Sequence, residues 1–405
     1  MVSNISRSLW KGLLIGTMSM AFTHQTLAQE EIRIGEVSSF TAYPDHMSHY
    51  ENGMNLAVDE INAAGGVDGR KIVIIKRDDK ANPGDAIRAA EELVTRGQVH
   101  AITGSYLSSI ALALNEWAGR NKFPFLATMS LSDRQIWQER NPYGFRLRAG
   151  TYTQAAILAE KAAELKKKRW ALVYPNYEFG QLAAATFKRM LQEQQPDVEF
   201  VAEHATPLGK IESSGVVQAI LDEKPDALFS VLFGADLLKF VRAGSTQGLF
   251  DQVQVYGMVA GEPENLEPLG ADAPEGWWVT GYDWTNTDIP AHKAFLEAYQ
   301  ARYGKHPGIS SIMGYTAVKT MAAAIDKADS LDPEAIVAAM ADLEVDMPWG
   351  QINYRTIDNQ STIGSFLGKT AQTPNGPVLV DAVYKDGRTY QPTDEMIEQW
   401  RAEAK

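Results

Sequence analysis

The feature that most constrains this chain is the alternation of short apolar runs, rich in β-branched residues, with amphipathic segments. The pattern starts at Ile32–Val37, passes a polar and aromatic loop ending at Tyr43 and a helical segment at Glu51–Ala64, and returns to an apolar run at Lys71–Arg77. In the helical segment, apolar residues recur at spacings of three and four, which is the period of one helix face. Strands that alternate with helices predict mainly parallel sheets with helices on both faces.

The same alternation continues through the first two thirds of the sequence. Further apolar runs occur at Ala101–Gly104, Phe123–Thr128, Ala171–Tyr174, Val198–Ala202, Ala227–Phe233 and Val253–Val259. The first five strand candidates are expected to form one lobe that ends near Tyr143–Arg148. A fresh series of strand and helix units begins at Thr151, and 405 residues are too many for one compact core. We therefore predict an α/β protein of two lobes, each a mainly parallel sheet flanked by helices.

Residues 1–28 have the features of a secretory signal peptide. Arg7 and Lys11 are positive, Gly12–Phe22 is apolar, and small residues precede a cleavage point near Ala28. The apolar run is shorter than the ~18 residues that a membrane-spanning helix needs. We predict export to the periplasm, with no stable membrane insertion.

Charge and cysteine content narrow the choice of partners. The formal net charge is −13, and it becomes −15 if the two positive charges of Arg7 and Lys11 leave with the signal, which contains no acidic residue. Such acidity argues against nucleic acid and anionic membranes as partners. The chain has no cysteine, so core packing without disulfides must hold it together.

The sequence lacks the motifs of common enzymes. It contains no G-x-S-x-G elbow, H-E-x-x-H pair, P-loop or cysteine nucleophile, and no glycine-rich dinucleotide motif follows the first strand. His46 and His49 have a spacing that suits a shared metal, but no third ligand is clustered with them, which favours a role at a helix entry or cleft rim. Asp78 and Asp79 are expected to satisfy loop backbone groups. We predict a binding protein without cofactor or metal, rather than an enzyme.

The chain resembles the periplasmic leucine/isoleucine/valine-type solute-binding proteins of branched-chain amino acid ABC transporters. The order and spacing of several segments carry this resemblance: Ser39–Thr41, Val58–Gly69, Arg77–Asp79 followed by Ala81–Pro83, Gly104–Ser109, Tyr177–Gly180 and Gly314–Tyr315. The resemblance implies two lobes joined by three crossings, with the ligand in the cleft. It also implies a receptor that closes by hinge motion and is presented, as a monomer, to a membrane permease.

The resemblance suggests where the crossings and lobe boundaries fall. The crossings are expected near Arg148–Thr151, Gly281–Trp284 and Gly350–Tyr354. One lobe would comprise residues 29–149 and 283–351, and the other residues 150–282 and 352–405.

Ser108 and Ser109 stand where a strand ends and a helix begins. Unpaired N–H groups at a helix start, together with serine hydroxyls, suit a carboxylate, although serine caps helices for purely structural reasons as well. By resemblance, Ser108 matches the serine that binds the α-carboxylate of the ligand. Ser130 and Ser132 follow the next strand and match positions that provide a backbone carbonyl and a hydroxyl; a polar surface turn is the alternative.

Glu262 follows the run that ends near Ala260 and resembles the glutamate that binds the ligand ammonium. A carboxylate in a desolvated cleft would pair strongly with an ammonium group. Glu264 is a competitor for that position, and a solvated loop acid is the structural alternative.

Aromatic residues supply the predicted walls of the cleft: Tyr43, Tyr106, Tyr177, Phe179 and Phe233. The two phenylalanines stand where the family tends to have tyrosine, and Ser310 and Ser311 stand where it has an apolar side chain. These departures weaken the expectation of a branched-chain ligand. The primary hypothesis is an amino acid or similar small carboxylate; the alternatives are an aromatic or organic acid or an amide in the same fold, or a ligand sensor.

Overall fold

A computed structural model describes Met1 and residues 31–286 and 288–403. Apart from Met1, the predicted signal peptide and its cleavage site lie outside the described residues. Within the described ranges, none of the helices is long and apolar enough to cross a membrane.

The first nine strands lie close to the predicted strand segments, and five further strands follow them. They are β1 (Ile32–Ser38), β2 (Ile72–Asp78), β3 (Ala101–Gly104), β4 (Phe125–Ala127), β5 (Gly144–Arg146), β6 (Arg169–Pro175), β7 (Glu199–Thr206), β8 (Ala227–Ser230), β9 (Gln254–Gly261), β10 (Trp278–Gly281), β11 (Glu344–Met347), β12 (Gly350–Asn353), β13 (Ser365–Thr373) and β14 (Gly376–Lys385).

Helices separate most of the strands. They are α1 (Pro44–Ala63), α2 (Pro83–Thr95), α3 (Ser108–Asn121), α4 (Thr151–Leu165), α5 (Glu178–Gln194), α6 (Ser213–Asp222), α7 (Gly234–Thr246), α8 (Pro263–Leu266), α9 (Pro290–Tyr303), α10 (Ile309–Ala328), α11 (Pro333–Met340), α12 (Gly387–Tyr390) and α13 (Asp394–Glu403), with 3-10 turns at Asp133–Gln135 and Glu267–Asp272.

The strands form two large sheets, which confirms the predicted fold class. The first sheet has five strands in the order β2-β1-β3-β4-β5, all parallel. The second has seven in the order β14-β13-β10-β9-β8-β6-β7, parallel from β10 to β7, with β13 antiparallel to both of its neighbours. A hairpin of β11 and β12 stands apart. We call the body around the first sheet the first lobe and the body around the second sheet the second lobe.

Helix α10 belongs to the first lobe because it packs closely along α1. Side chains cannot fit at two points of this contact. A Cβ on Gly53 would overlap the backbone carbonyl of Ser311, and a Cβ on Gly314 would overlap that of Tyr50. Glycine at both positions therefore permits the two helices to approach backbone to backbone.

The chain passes between the lobes three times. It leaves the first sheet after β5, leaves the second after β10 to form α9 and α10, and enters the second sheet again at Ser365. Buried Arg146 ties the first and third passages together, since its Nη2 donates to Asp133 at 2.7 Å and its backbone bonds to Ser361 and Asn359. The residue ranges assigned to each lobe from the sequence stay a prediction.

Helix α1 begins earlier than the periodicity predicts, at Pro44 rather than Glu51. Proline suits the first position of a helix because its missing N–H has no acceptor there. The added turns bury His46, Met47 and Tyr50. Because two of these residues carry polar groups, they do not show up as an apolar helical repeat in the sequence.

A polar cluster lies in the core of the first lobe. Glu36 of β1 is fully buried and accepts hydrogen bonds from Ser38 Oγ at 2.6 Å, Tyr50 Oη at 3.0 Å and Thr103 Oγ1 at 2.5 Å. Burial raises the pKa of Glu36 to about 7, because loss of hydration outweighs the three hydrogen bonds.

Candidate binding cleft

A cavity that is open to solvent lies between the lobes, and its empty space, with that solvent included, amounts to about 340 Å³. Its lining combines rings, apolar side chains and a few polar groups: Tyr106, Ser108, Met129, Leu131, Arg148, Tyr177, Phe179, Phe233, Val259, Glu262 and Asn265. Its first-lobe walls follow the carboxyl ends of β3, β4 and β5, and its second-lobe walls lie at or follow those of β6, β8 and β9. This is the edge at which parallel sheets bind small molecules.

Ser108 is the first residue of α3, is buried and lines the cavity. The N–H groups of the first turn of a helix have no intrahelical acceptors, and the dipole makes this end positive. A carboxylate in the cavity would therefore meet a hydroxyl and a favourable field at the same place.

The other predicted serines lie outside the cavity lining. Ser109 is partly exposed on α3. Ser130 is fully buried, and its Oγ has no partner among the described residues. Ser132 Oγ donates to Glu178 Oε1 of the second lobe at 2.8 Å, so this hydroxyl is engaged between the lobes. The ligand-binding roles of these serines stay predictions.

Arg148 and Glu262 form a buried ion pair in the wall of the cavity. Arg148 is 7% exposed and Glu262 is 4% exposed. Arg148 Nη2 donates to Glu262 Oε1. Burial lowers the pKa of Arg148 to about 10, because desolvation penalises its charge, and the group still remains a cation at neutral pH.

Glu262 has hydrogen-bond partners on both carboxylate oxygens. Asn265 Nδ2 donates to Glu262 Oε2 at 3.3 Å, while Arg148 occupies Oε1. Asn265 is itself held by Val259 O at 3.0 Å and by the N–H of Gly234 at 2.9 Å. The carboxylate is thus fixed beside Arg148, and its predicted role as the ligand's ammonium partner stays a prediction.

Glu264, the competitor for the same role, faces a different space. It does not line the inner cavity but borders a wider outer cavity that also touches Tyr43 and Phe233. Its two oxygens accept the N–H groups of Ile309 at 3.1 Å and Ser310 at 2.8 Å. Of the two acids, Glu262 is the one that faces the inner cavity.

The five predicted aromatic residues form one continuous cluster of rings. Tyr43 lies 4.6 Å from Tyr106 and 6.3 Å from Phe233, and Phe233 lies 6.1 Å from Phe179, measured between ring centroids. Tyr177 lies 6.2 Å from Phe179. Tyr43 lines only the outer cavity, so the rings of Tyr43, Tyr106 and Phe233 separate the inner cavity from the outer one.

Two polar pairs near this region make hydrogen bonds to nearby backbone groups. No group that could hold a metal occurs among the described residues. His46 and His49 lie on α1 beside the cleft, and His49 Nδ1 accepts the N–H of Gly308 at 3.1 Å. Asp78 and Asp79 accept loop N–H groups of Lys80 and Ala81, which confirms that interpretation.

Sequence reasoning missed five residues of the cavity lining: the polar residues Arg148 and Asn265, and the apolar residues Met129, Leu131 and Val259. From the sequence, Arg148 is assigned only to the first crossing between the lobes. One available signal was its position two residues beyond the end of β5, where side chains reach the carboxyl edge of the sheet. The partner that makes its burial possible is distant in sequence, so the pairing itself was not visible.

Two α/β lobes closed on a polar and aromatic cavity define the architecture of a two-lobed binding protein. The chain belongs to the periplasmic binding protein family, whose sequence pattern matches residues 31–372. A curated relative, the Leu/Ile/Val-binding protein homolog 7 of Brucella melitensis, is 25% identical over 335 residues, which cover 78% of this chain and 82% of the relative.

Solved structures share the fold over most of the chain. One is a solute-binding protein of an ABC transporter from Rhodopseudomonas palustris in complex with 3,4-dihydroxybenzoic acid, with TM-score 0.79, 23% identity and coverage of 89% of this chain and 99% of that one. Another is an ABC-type branched-chain amino acid transporter protein from the same species, with TM-score 0.71, 22% identity and coverage of 87% and 97%.

Proposed function

We propose that this protein is the solute-binding receptor of an ABC importer and captures a small carboxylate in the inner cavity by closure of the two lobes. The observation that carries the proposal is Arg148, a buried guanidinium in the wall of the cavity between the lobes. A guanidinium has five N–H donors in a planar fork that matches a carboxylate, and Glu262 leaves several of them for a ligand.

The rest of the lining is consistent with a small ligand that carries one anionic group. Ser108 and the start of α3 offer further donors. Tyr106, Tyr177, Phe179 and Phe233 provide apolar surface that would cover the remainder of the ligand.

Two ligand classes fit this description, and one observation favours each. The ring cluster and the engaged state of Glu262 favour an aromatic acid without an amine, the chemistry named for the dihydroxybenzoate complex. The position of Glu262 beside Arg148 favours an amino acid, whose ammonium group would replace Arg148 as the hydrogen-bond partner of Glu262. The engaged carboxylate makes the aromatic acid the better supported of the two.

The remaining parts of the proposal follow from family membership and the site. The protein would act in the periplasm as a monomer, deliver its ligand to a membrane permease, and bind without catalysis. Among the described residues that line the cavity, no general base lies beside a nucleophile, as is typical of a binding protein.

Titration calorimetry tests the proposal directly. The purified protein without its signal would be titrated with benzoate, 4-hydroxybenzoate, phenylalanine and leucine, and with benzamide as the neutral match to benzoate. We expect benzoate to bind on the order of tenfold or more tighter than benzamide, because only the carboxylate pairs with Arg148. Equal affinity for the acid and its amide would contradict the assignment of Arg148.

A further inference from the structure

Glu264 makes a contact between the lobes that the proposed ligand site does not use. It lies in α8, directly after β9 of the second lobe, and is only 5% exposed. Its carboxylate accepts the N–H groups of Ile309 and Ser310, the first two residues of α10. Helix α10 packs on α1 in the first lobe, so one side chain of the second lobe caps a helix of the first.

The backbone of the first lobe is shaped to receive this carboxylate. Gly308 precedes α10, and a Cβ at that position would overlap the carboxyl group of Glu264. The φ angle of Gly308 is −94°, which other residues adopt freely, so its own conformation does not require glycine. The close approach of Glu264 does require it.

The contact has the properties of a strong hydrogen bond. A carboxylate that accepts N–H groups at a helix start gains from the positive end of the helix dipole and from charge-assisted bonds. Burial opposes ionisation of Glu264, yet His49, His46 and the N–H of Ser310 outweigh it and lower its pKa. The group is therefore a carboxylate at neutral pH.

We propose that Glu264 is a positioning residue that holds the lobes closed and thereby raises the affinity for every ligand by the same factor. The proposal rests on the proposed function, because it assumes that binding requires closure. The apparent affinity of a receptor scales with the fraction of molecules in the binding-competent state. A group that joins the lobes without touching the ligand shifts that fraction and leaves the order of ligand preference unchanged.

Glu264→Gln is the first test, since glutamine keeps the size of the side chain but loses the charge. Small-angle X-ray scattering of the ligand-free variant should show a larger radius of gyration than the wild type. In calorimetry, the Kd of every ligand that binds the wild type should rise by a common factor of about 10 to 100. Glu275→Gln, the same change at an exposed position of the second lobe, is the matched control and should alter neither quantity.

Gly308→Ala is an independent second variant, because it displaces the carboxylate from the opposite side. It should reproduce both effects, and circular dichroism would check that each variant is folded. Unchanged scattering with unchanged affinity, or a change in the order of ligand preference, would overturn the proposal. If the wild type binds none of the acids, the proposed ligand class fails, while the scattering of the ligand-free proteins still tests the role of Glu264.

Discussion

Glu262→Gln removes one negative charge from the inner cavity and keeps both the length of the side chain and an oxygen for hydrogen bonding. In the structure, Glu262 accepts bonds from Arg148 and Asn265. The effect of this substitution on affinity depends on whether the ligand brings an ammonium group.

An acid without an amine would place its carboxylate on Arg148 and therefore close to Glu262. Two negative charges at about 5 Å repel by roughly 3 kcal/mol at an effective dielectric constant of about 20. Glu262→Gln removes this repulsion, but part of the resulting gain in affinity is lost because Arg148 also loses its charged partner. We therefore expect Glu262→Gln to bind benzoate on the order of tenfold tighter than the wild type does.

An amino acid would place its ammonium on Glu262 instead. The loss of a hydrogen bond between charged groups costs about 1.5–3 kcal/mol, so the same variant should bind phenylalanine or leucine roughly tenfold to a hundredfold more weakly. The two ligand classes thus predict opposite signs.

Titration calorimetry of wild type and variant at neutral pH measures this sign. Glu275→Gln serves again as the exposed control. If benzoate binds the wild type and binds Glu262→Gln more weakly, the argument from repulsion is refuted, and Glu262 would have to act through the position of Arg148.

Three further substitutions probe the site and the core. Glu36→Gln should remove a pH dependence of stability. Because the pKa of Glu36 is raised, the folded wild type keeps a proton on this side chain between pH 4.5 and about 7, and its free energy of unfolding should fall by about 3 kcal/mol as the pH rises through that window. Urea titrations of both proteins at the two ends of the window would detect the difference. An equal pH dependence in both proteins would contradict the raised pKa. Phe233→Ala should weaken benzoate far more than acetate in calorimetry, because the ring is expected to cover the apolar part of the ligand; an equal loss for both acids would count against that role. Phe187→Ala should lower the free energy of unfolding by about 3–5 kcal/mol in urea titrations, since its ring stacks on Phe229 at 4.0 Å in the core, while ligand affinity stays at the wild-type value.

The fold class could be predicted from the sequence because most strands of the two large sheets carry their own local signal. The runs at Ile32–Val37 and Ala101–Gly104 appear as β1 and β3 almost residue for residue. Boundaries were predicted less well where packing decides them. Helix α1 starts at Pro44 because His46, Met47 and Tyr50 are buried by neighbouring elements, which periodicity does not reveal.

The site could be predicted only in part. Ser108 was predicted from its place at a helix start together with the family resemblance, and Phe233 from the resemblance; the structure puts Ser108, Tyr106 and Phe233 in the cavity lining. Arg148 was missed because an arginine is buried only where a partner compensates its charge, and that partner, Glu262, is far away in sequence. The choice between Glu262 and Glu264 likewise depends on how α8 turns after β9, a matter of tertiary geometry.

The pairing of Arg148 with Glu262 has a consequence for the speed of capture. Arg148, the one cation among the described residues that line the cavity, is neutralised by Glu262, and the whole chain carries a formal net charge of −13. An anionic ligand therefore meets a repulsive field at long range and attractive donors only after it has entered the cleft. Added salt screens the repulsion, so the association rate of an anionic ligand should rise with ionic strength, the reverse of a receptor that steers its ligand with exposed positive charge.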